Sequence, residues 1–336
     1  MNDAGIEQPP LGIRLLHVLQ KDPDWSTITT EELIAFRDKA NRKAGSRLLR
    51  VVTGFPDRRA TIRWQEVTLA DRVLRVRVYR PSAGRAALPL VLHVHGGGFI
   101  GTAAQCDWGS SRLAARLPAV VVSVEHRLLA PGTALSEAFA DGWDVLQDVV
   151  QHAAEWGVDP ARVAVIGEST GALIAALSAI RAKATGLTLR AQVLINPVAD
   201  LTETMFDYPS MSEHANSAML TVSKLRLFQR LAAPPGTDPR PVSPLSVADL
   251  SGLAPALVAV PTVDPVADHG RRYAERLRES GTPTTLTEYA RAPHAFIALP
   301  GLVPQARTAR ADIAEFLRGR LTESQSPAIS TKAQTR

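Results

Sequence analysis

Gly167-Glu168-Ser169-Thr170-Gly171 holds a serine between two glycines, after the apolar run RVAVI and before the helical run ALIAALSAI. A sharp strand-to-helix turn of that kind lifts the hydroxyl above a sheet edge, beside a helix end that favours developing negative charge. The flanking glycines serve where a Cβ would collide with the turned backbone. The chemistry this permits is attack by the serine oxygen on an acyl carbon.

His95-Gly96-Gly97-Gly98-Phe99 ends an earlier apolar run. Consecutive glycines let backbone N–H groups come close to a bound molecule, where they suit the oxyanion of a tetrahedral intermediate. A phosphate loop of the G-x-x-x-x-G-K-S/T type is absent. Beside the serine turn, the oxyanion reading is the stronger.

A nucleophilic serine needs a base, and the base needs an orienting carboxylate. Of the eight histidines, His294 in Arg-Ala-Pro-His-Ala-Phe stands just after the last strand candidate. His17 and His152 fall on expected surface helices, His93 alternates inside a strand, and His214 lies in an insertion. His126 follows a strand end as a site neighbour. Asp264 in Val-Asp-Pro follows another strand candidate, whereas Asp268 opens a helix, where Asp more often caps. Ser169, Asp264 and His294 come in the order Ser, Asp, His, each after a strand, and strands of a parallel sheet end on one edge.

The elements that must position these groups follow from hydropathy. Apolar runs at 90–95, 119–124, 162–167, 191–196 and 256–260, with a more polar one at 284–289, alternate with helical stretches near 107–117, 136–151, 170–183, 268–280 and 304–318. That rhythm predicts a mostly parallel sheet covered by helices on both faces. Residues 61–69 and 73–79 alternate in polarity and predict an antiparallel hairpin. Residues 1–60 predict two short helices, one with Ile13, Leu16 and Leu19 on a face and one opened by a Thr29-x-x-Glu32 capping box. The interval between the runs at 191–196 and 256–260 is too long for a plain loop, so 200–245 is read as an inserted helical cap that joins the N-terminal helices. The core is thus 61–320, and the polar segment 321–336 is expected to be a disordered tail.

Composition narrows the classes. A chain with 45% hydrophobic and 21% charged residues has the make-up of a globular protein with a sizeable core. The net charge of +5 is scattered, so no nucleic-acid partner is expected. The single cysteine, Cys106, rules out an internal disulfide and a multi-cysteine zinc site. No apolar run approaches the roughly 20 residues of a membrane helix, and the first residues carry no signal-peptide pattern. A cytoplasmic protein with no membrane partner is expected.

With these motifs in place, the chain resembles the hormone-sensitive-lipase-like family of α/β-hydrolases, in its bacterial acetyl-esterase and arylesterase branch. The resemblance runs through about 60–320 and rests on HGGGF at 95–99, HRLLAP at 126–131, GESTG at 167–171, SPL at 243–245, VDPVAD at 263–268 and PHAF at 293–296. It implies an α/β-hydrolase fold, with a mostly parallel eight-stranded sheet and a helical cap. It also implies a triad of Ser169, Asp264 and His294 and an oxyanion hole from the N–H groups of Gly97, Gly98 and Thr170. No cofactor or metal is implied, and several relatives are homodimers. The departures are His126 for a usual tyrosine, an added leucine at 128 or 129, Glu168 for aspartate, Thr170 for alanine, Ala172 for glycine and Ala295 for glycine. Phe99, Glu168, Met205, Phe206, Met211 and Met219 are the candidates for the substrate pocket.

The expected activity is hydrolysis of small acyl esters through an acyl-enzyme. Amide deacetylation, lactone opening and acyl transfer or cyclisation would use the same triad. A non-catalytic ligand receptor is disfavoured, because the family's receptors have lost the histidine that this chain keeps as His294.

Overall fold

The computed structural model describes residues 7–19, 22–44, 46–82, 87–128 and 135–322. The expected tail beyond 322 and the HRLLAP motif from 129 onward lie outside them. Eight strands form one sheet: β1 (Ala60–Thr68), β2 (Val73–Pro81), β3 (Leu88–Val94), β4 (Val120–Val124), β5 (Val158–Glu168), β6 (Ala191–Ile195), β7 (Ala256–Val263) and β8 (Thr284–Pro293). Their order is β1-β2-β4-β3-β5-β6-β7-β8. The β1–β2 hairpin is antiparallel and joins β4 antiparallel, while β4, β3, β5, β6, β7 and β8 run parallel. The chain therefore forms an α/β-hydrolase fold.

Eleven described helices accompany the sheet. They are α1 (Leu11–Leu19), α2 (Thr30–Ala44), α3 (Arg50–Thr53), α4 (Asp107–Arg116), α5 (Leu135–Gln151), α6 (Ala153–Trp156), α7 (Thr170–Thr185), α8 (Pro209–Glu213), α9 (Val222–Ala232), α10 (Ala267–Glu279) and α11 (Gln305–Thr322). Alternate residues of each central strand feed two cores, because successive strand side chains point to opposite faces. Leu90, Leu92 and Val94 of β3 join α5, α7 and α10 through Leu146, Ile174 and Leu277. Val91 of β3, Ile166 of β5 and Val193 of β6 join α4 and α11 through Leu113 and Leu317. Both faces are buried, which is why these strands read as unbroken apolar runs.

Two departures from the sequence pattern have local causes. β5 begins at Val158, ahead of the run at 162–167, because Val158 and Asp159 pair with Leu88 and Pro89 before the register shifts. The interval from 197 to 255 holds less helix than a helical cap suggests: α8, α9 and short 3₁₀ turns. Prolines stand at the first turns of α8 and of the 3₁₀ segments at 240–242 and 244–246, where a missing N–H costs nothing.

At the N-terminal end the capping box forms as read. The Thr29 hydroxyl accepts from the Glu32 amide at 3.2 Å, and the Glu32 carboxylate accepts from the Thr29 amide at 2.9 Å. α2 then turns Leu33 into the core, and Trp25 packs edge-on to Phe36 with ring centroids 5.2 Å apart. The Lys224 Nζ of α9 stands 4.9 Å from the Trp25 ring centroid, so the turn ahead of α2 meets α9 of the 197–255 interval.

Candidate active site

Ser169 sits between β5 and α7 with φ 55° and ψ −120°, a conformation that L residues adopt only under constraint. The constraint is packing. A Cβ on Gly167 would lie 2.1 Å from the Gly171 carbonyl oxygen, and one on Gly171 would lie 2.2 Å from that of Val94. The two glycines let the turn close onto β3, and the Ser169 amide is fixed by donating to the Ile195 carbonyl at 2.9 Å.

Asp264 lies in the turn after β7 and His294 in the turn after β8. His294 Nε2 stands 2.8 Å from Ser169 Oγ, and His294 Nδ1 stands 2.7 Å from Asp264 Oδ2. Asp264 is fully buried, and its Oδ1 accepts the Val266 amide at 3.0 Å. The carboxylate thus accepts a hydrogen bond from Nδ1–H and leaves Nε2 free to accept from the serine hydroxyl. Ala295, next in line, adopts the left-handed conformation at φ 55°. That conformation explains the glycine usual at this position in the resembling family.

The glycine loop abuts this hydrogen-bonded chain. A Cβ on Gly96 would lie 2.8 Å from the Glu168 carbonyl oxygen. Gly97, Gly98 and Phe99 all have positive φ, at 106°, 59° and 63°. The loop is held by contacts to the Gly96 carbonyl, which accepts from Gln105 Nε2 at 3.1 Å and pairs with His95 Nδ1 at 2.8 Å. The Gly98 amide donates to Thr170 Oγ1 at 3.3 Å. The Gly97 and Thr170 amides donate to no acceptor among the described residues.

Ser169 and His294 open into a cavity of about 270 Å³. Gly97, Gly98 and Thr170 border it, and so do four of the six pocket candidates: Phe99, Glu168, Met205 and Met219. Phe206 and Met211 do not line it, which corrects the sequence reading. Phe206 lies under the Arg226 guanidinium at 4.1 Å, and Met211 is buried in the apolar core beneath. Both are apolar residues of the same interval, and only the path of the chain decides which face each takes.

Other residues on the site were not singled out from the sequence. Lys224, Phe228 and Gln229 of α9 line the cavity, and Asn196 Nδ2 stands 3.5 Å from His294 Nε2. Asn196 has φ 37° at the end of β6, where asparagine tolerates the left-handed region better than most residues. An asparagine directly after an apolar strand was the available signal. His126 does not reach the cavity; it stacks on His95 with ring centroids 4.2 Å apart, and its Nε2 lies 3.3 Å from the His95 carbonyl oxygen.

Burial sets the charges here. Glu168 is pushed up from the ordinary carboxylate range to about 7 by desolvation, with His294 opposing. His93, His95 and His126 are pushed down to about 4, each mainly by desolvation, so all three are neutral near pH 7. Among the described residues no group of three or more His, Cys, Asp or Glu side chains is placed to hold a metal ion, and no helix is long and apolar enough to cross a membrane.

The profile of the alpha/beta hydrolase fold family matches residues 91–298, which contain Ser169, Asp264, His294 and the glycine loop. The chain belongs to the α/β-hydrolases. This α/β-hydrolase is 34% identical over 242 residues to Esterase LipI of Mycobacterium tuberculosis, spanning 69% of this chain and 74% of that protein. It is 30% identical over 280 residues to an ethyl acetate hydrolase of Pseudomonas putida, spanning 81% and 86%. Among solved structures, an esterase of Pyrobaculum calidifontis superposes with a TM-score of 0.80 at 29% identity, covering 93% of this α/β-hydrolase and 98% of that chain.

Proposed function

We propose that this α/β-hydrolase is a serine carboxylesterase that cleaves small acyl esters through a covalent acyl-enzyme. The observation that carries the reading is the unbroken hydrogen-bonded chain from Ser169 Oγ through the His294 ring to Asp264, opening into the same cavity as the glycine loop. The esterase names of its relatives support it independently.

In this mechanism Ser169 Oγ bonds to the ester carbonyl carbon as its proton passes to His294 Nε2. Asp264 holds the Nδ1 proton and stabilises the imidazolium. The carbonyl oxygen, now negative, takes hydrogen bonds from the amides of Gly97, Gly98 and Thr170, with the positive end of α7 adding to the field. Collapse of the tetrahedral intermediate breaks the bond to the leaving alcohol, which takes the proton from His294. Water then repeats the sequence on the acyl group and frees Ser169.

The test is hydrolysis of p-nitrophenyl acetate and butyrate by wild type, Ser169→Ala and His294→Ala. Each variant is expected to lose at least about a thousandfold in kcat, since members of a triad act as a unit. A Ser169→Ala protein that keeps most of the rate sinks the assignment. Covalent labelling by a fluorophosphonate, absent in Ser169→Ala, reports on the nucleophile directly.

A further inference from the structure

The cavity wall is largely apolar, and among the described residues that line it Lys224 is the only lysine or arginine. Its Nζ stands near two rings, 4.9 Å from the Trp25 centroid and 5.9 Å from the Phe228 centroid. Phe228 in turn packs on the glycine loop so closely that a Cβ on Gly98 would lie 2.5 Å from its Cε2. The ammonium is therefore one aromatic ring away from the amides assigned to the oxyanion.

Lys224 stands in the first turn of α9, whose N-cap Thr221 accepts the Lys224 amide at 3.2 Å. The positive end of that helix and the ammonium point to the same preference, for an anion. Burial works against the ammonium and lowers its pKa from the ordinary lysine range, with Asp22 opposing. The Asp22 Oδ2 is engaged by the Trp25 indole N–H at 3.4 Å. A half-buried ammonium on an apolar cavity wall gains when a ligand of opposite sign enters beside it. Glu168, the only carboxylate among the described residues of the wall, cancels it only in part near neutrality, because burial pushes that carboxyl up to about 7.

We propose that Lys224 is a specificity-determining residue that selects esters carrying a carboxylate on the arm reaching α9, such as half-esters of short dicarboxylic acids. The proposal deepens the esterase reading and rests on it. The bland alternative is that the lysine stem only covers Trp25 and Phe228, as long cationic side chains often do.

The experiment measures kcat/KM by pH-stat for ethyl hydrogen succinate, glutarate and adipate and for uncharged ethyl esters of matching chain length. The readout is the ratio of charged to uncharged substrate in wild type, Lys224→Met and Lys224→Arg. In wild type at least one half-ester is expected to be favoured by about tenfold or more, the size of a charge-assisted contact. The ratio should collapse to unity or below in Lys224→Met and persist in Lys224→Arg, whatever happens to each absolute rate. Lys224→Gln gives the same readout if the methionine variant fails to fold.

A wild-type ratio at or below unity across the series overturns the proposal, and so does a ratio that survives in the neutral variants. In both cases hydrolysis of the uncharged esters leaves the esterase reading standing. Failure of wild type to hydrolyse either series, with no fluorophosphonate labelling of Ser169, overturns that reading as well.

Discussion

The Thr170 side-chain oxygen accepts the backbone N–H of Gly98 at 3.3 Å, tying the serine turn to the glycine loop. Three successive residues of that loop hold positive φ, and two of them are glycines. Such a segment stays in place only when its surroundings hold it. The hydroxyl thus braces the loop, and it also occupies an amide that the proposed mechanism turns toward the oxyanion. Bracing should dominate, since a preorganised donor contributes more than a loosely held free one. Thr170→Ala is expected to lower kcat by about tenfold with little change in KM, and Thr170→Ser to restore it. Steady-state kinetics on a p-nitrophenyl ester check this. A higher kcat in Thr170→Ala would mean that the hydroxyl withholds the amide instead.

Gly171 carries a second prediction. An added Cβ would meet two backbone carbonyl oxygens at the end of β3, Val94 at 2.2 Å and His95 at 2.4 Å. Backbone atoms cannot swing aside as a side chain does, so α7 must move away from β3 and disturb the glycine loop that follows it. Gly171→Ala is expected to cost roughly 1–3 kcal/mol or more in urea unfolding, and to lose activity beyond what the loss of folded protein explains. Wild-type stability in this variant would contradict the close approach.

What was legible in the sequence was local. The elbow and the capping box at Thr29 and Glu32 each declare themselves within a few residues, because neighbouring backbone groups dictate them. The central strands were legible because both faces are buried, as Val91 and Leu92 illustrate by entering opposite cores. Chain order alone singles out Ser169, Asp264 and His294 as a set, each following a strand that ends on the same sheet edge. The cavity wall was not legible in this way. Met205 and Met211 are both buried methionines of one interval, and only one reaches the cavity. Lys224 and Phe228 read as ordinary positions of an amphipathic helix, and their role depends on Trp25 and Gly98, which lie far away in the chain. Such pairings depend on tertiary docking, which periodicity does not encode.

Glu168 gives the last prediction, a pH dependence of stability. It is buried beside Ser169, lines both the cavity that Ser169 opens into and a second, smaller one, and its carboxyl forms no hydrogen bond with the described residues. Desolvation raises its carboxyl to about 7, against an ordinary value of 4.5. The folded state therefore holds this proton more tightly than the unfolded state. Its stabilising contribution is complete below 4.5 and is lost as the pH rises through 7. Glutamine resembles the protonated acid in shape and never ionises, so Glu168→Gln should match wild type near pH 4.5 and become more stable by about 2–3 kcal/mol at pH 8. The buried His93, His95 and His126, pushed down to about 4, work the other way, costing stability as the pH falls from 6.5 toward 4. They do so in both proteins, so the difference between the two unfolding curves isolates Glu168. Urea denaturation of each protein at intervals from pH 4.5 to 8 makes the measurement. A difference that stays flat across that range would mean the Glu168 carboxylate is compensated in the folded state.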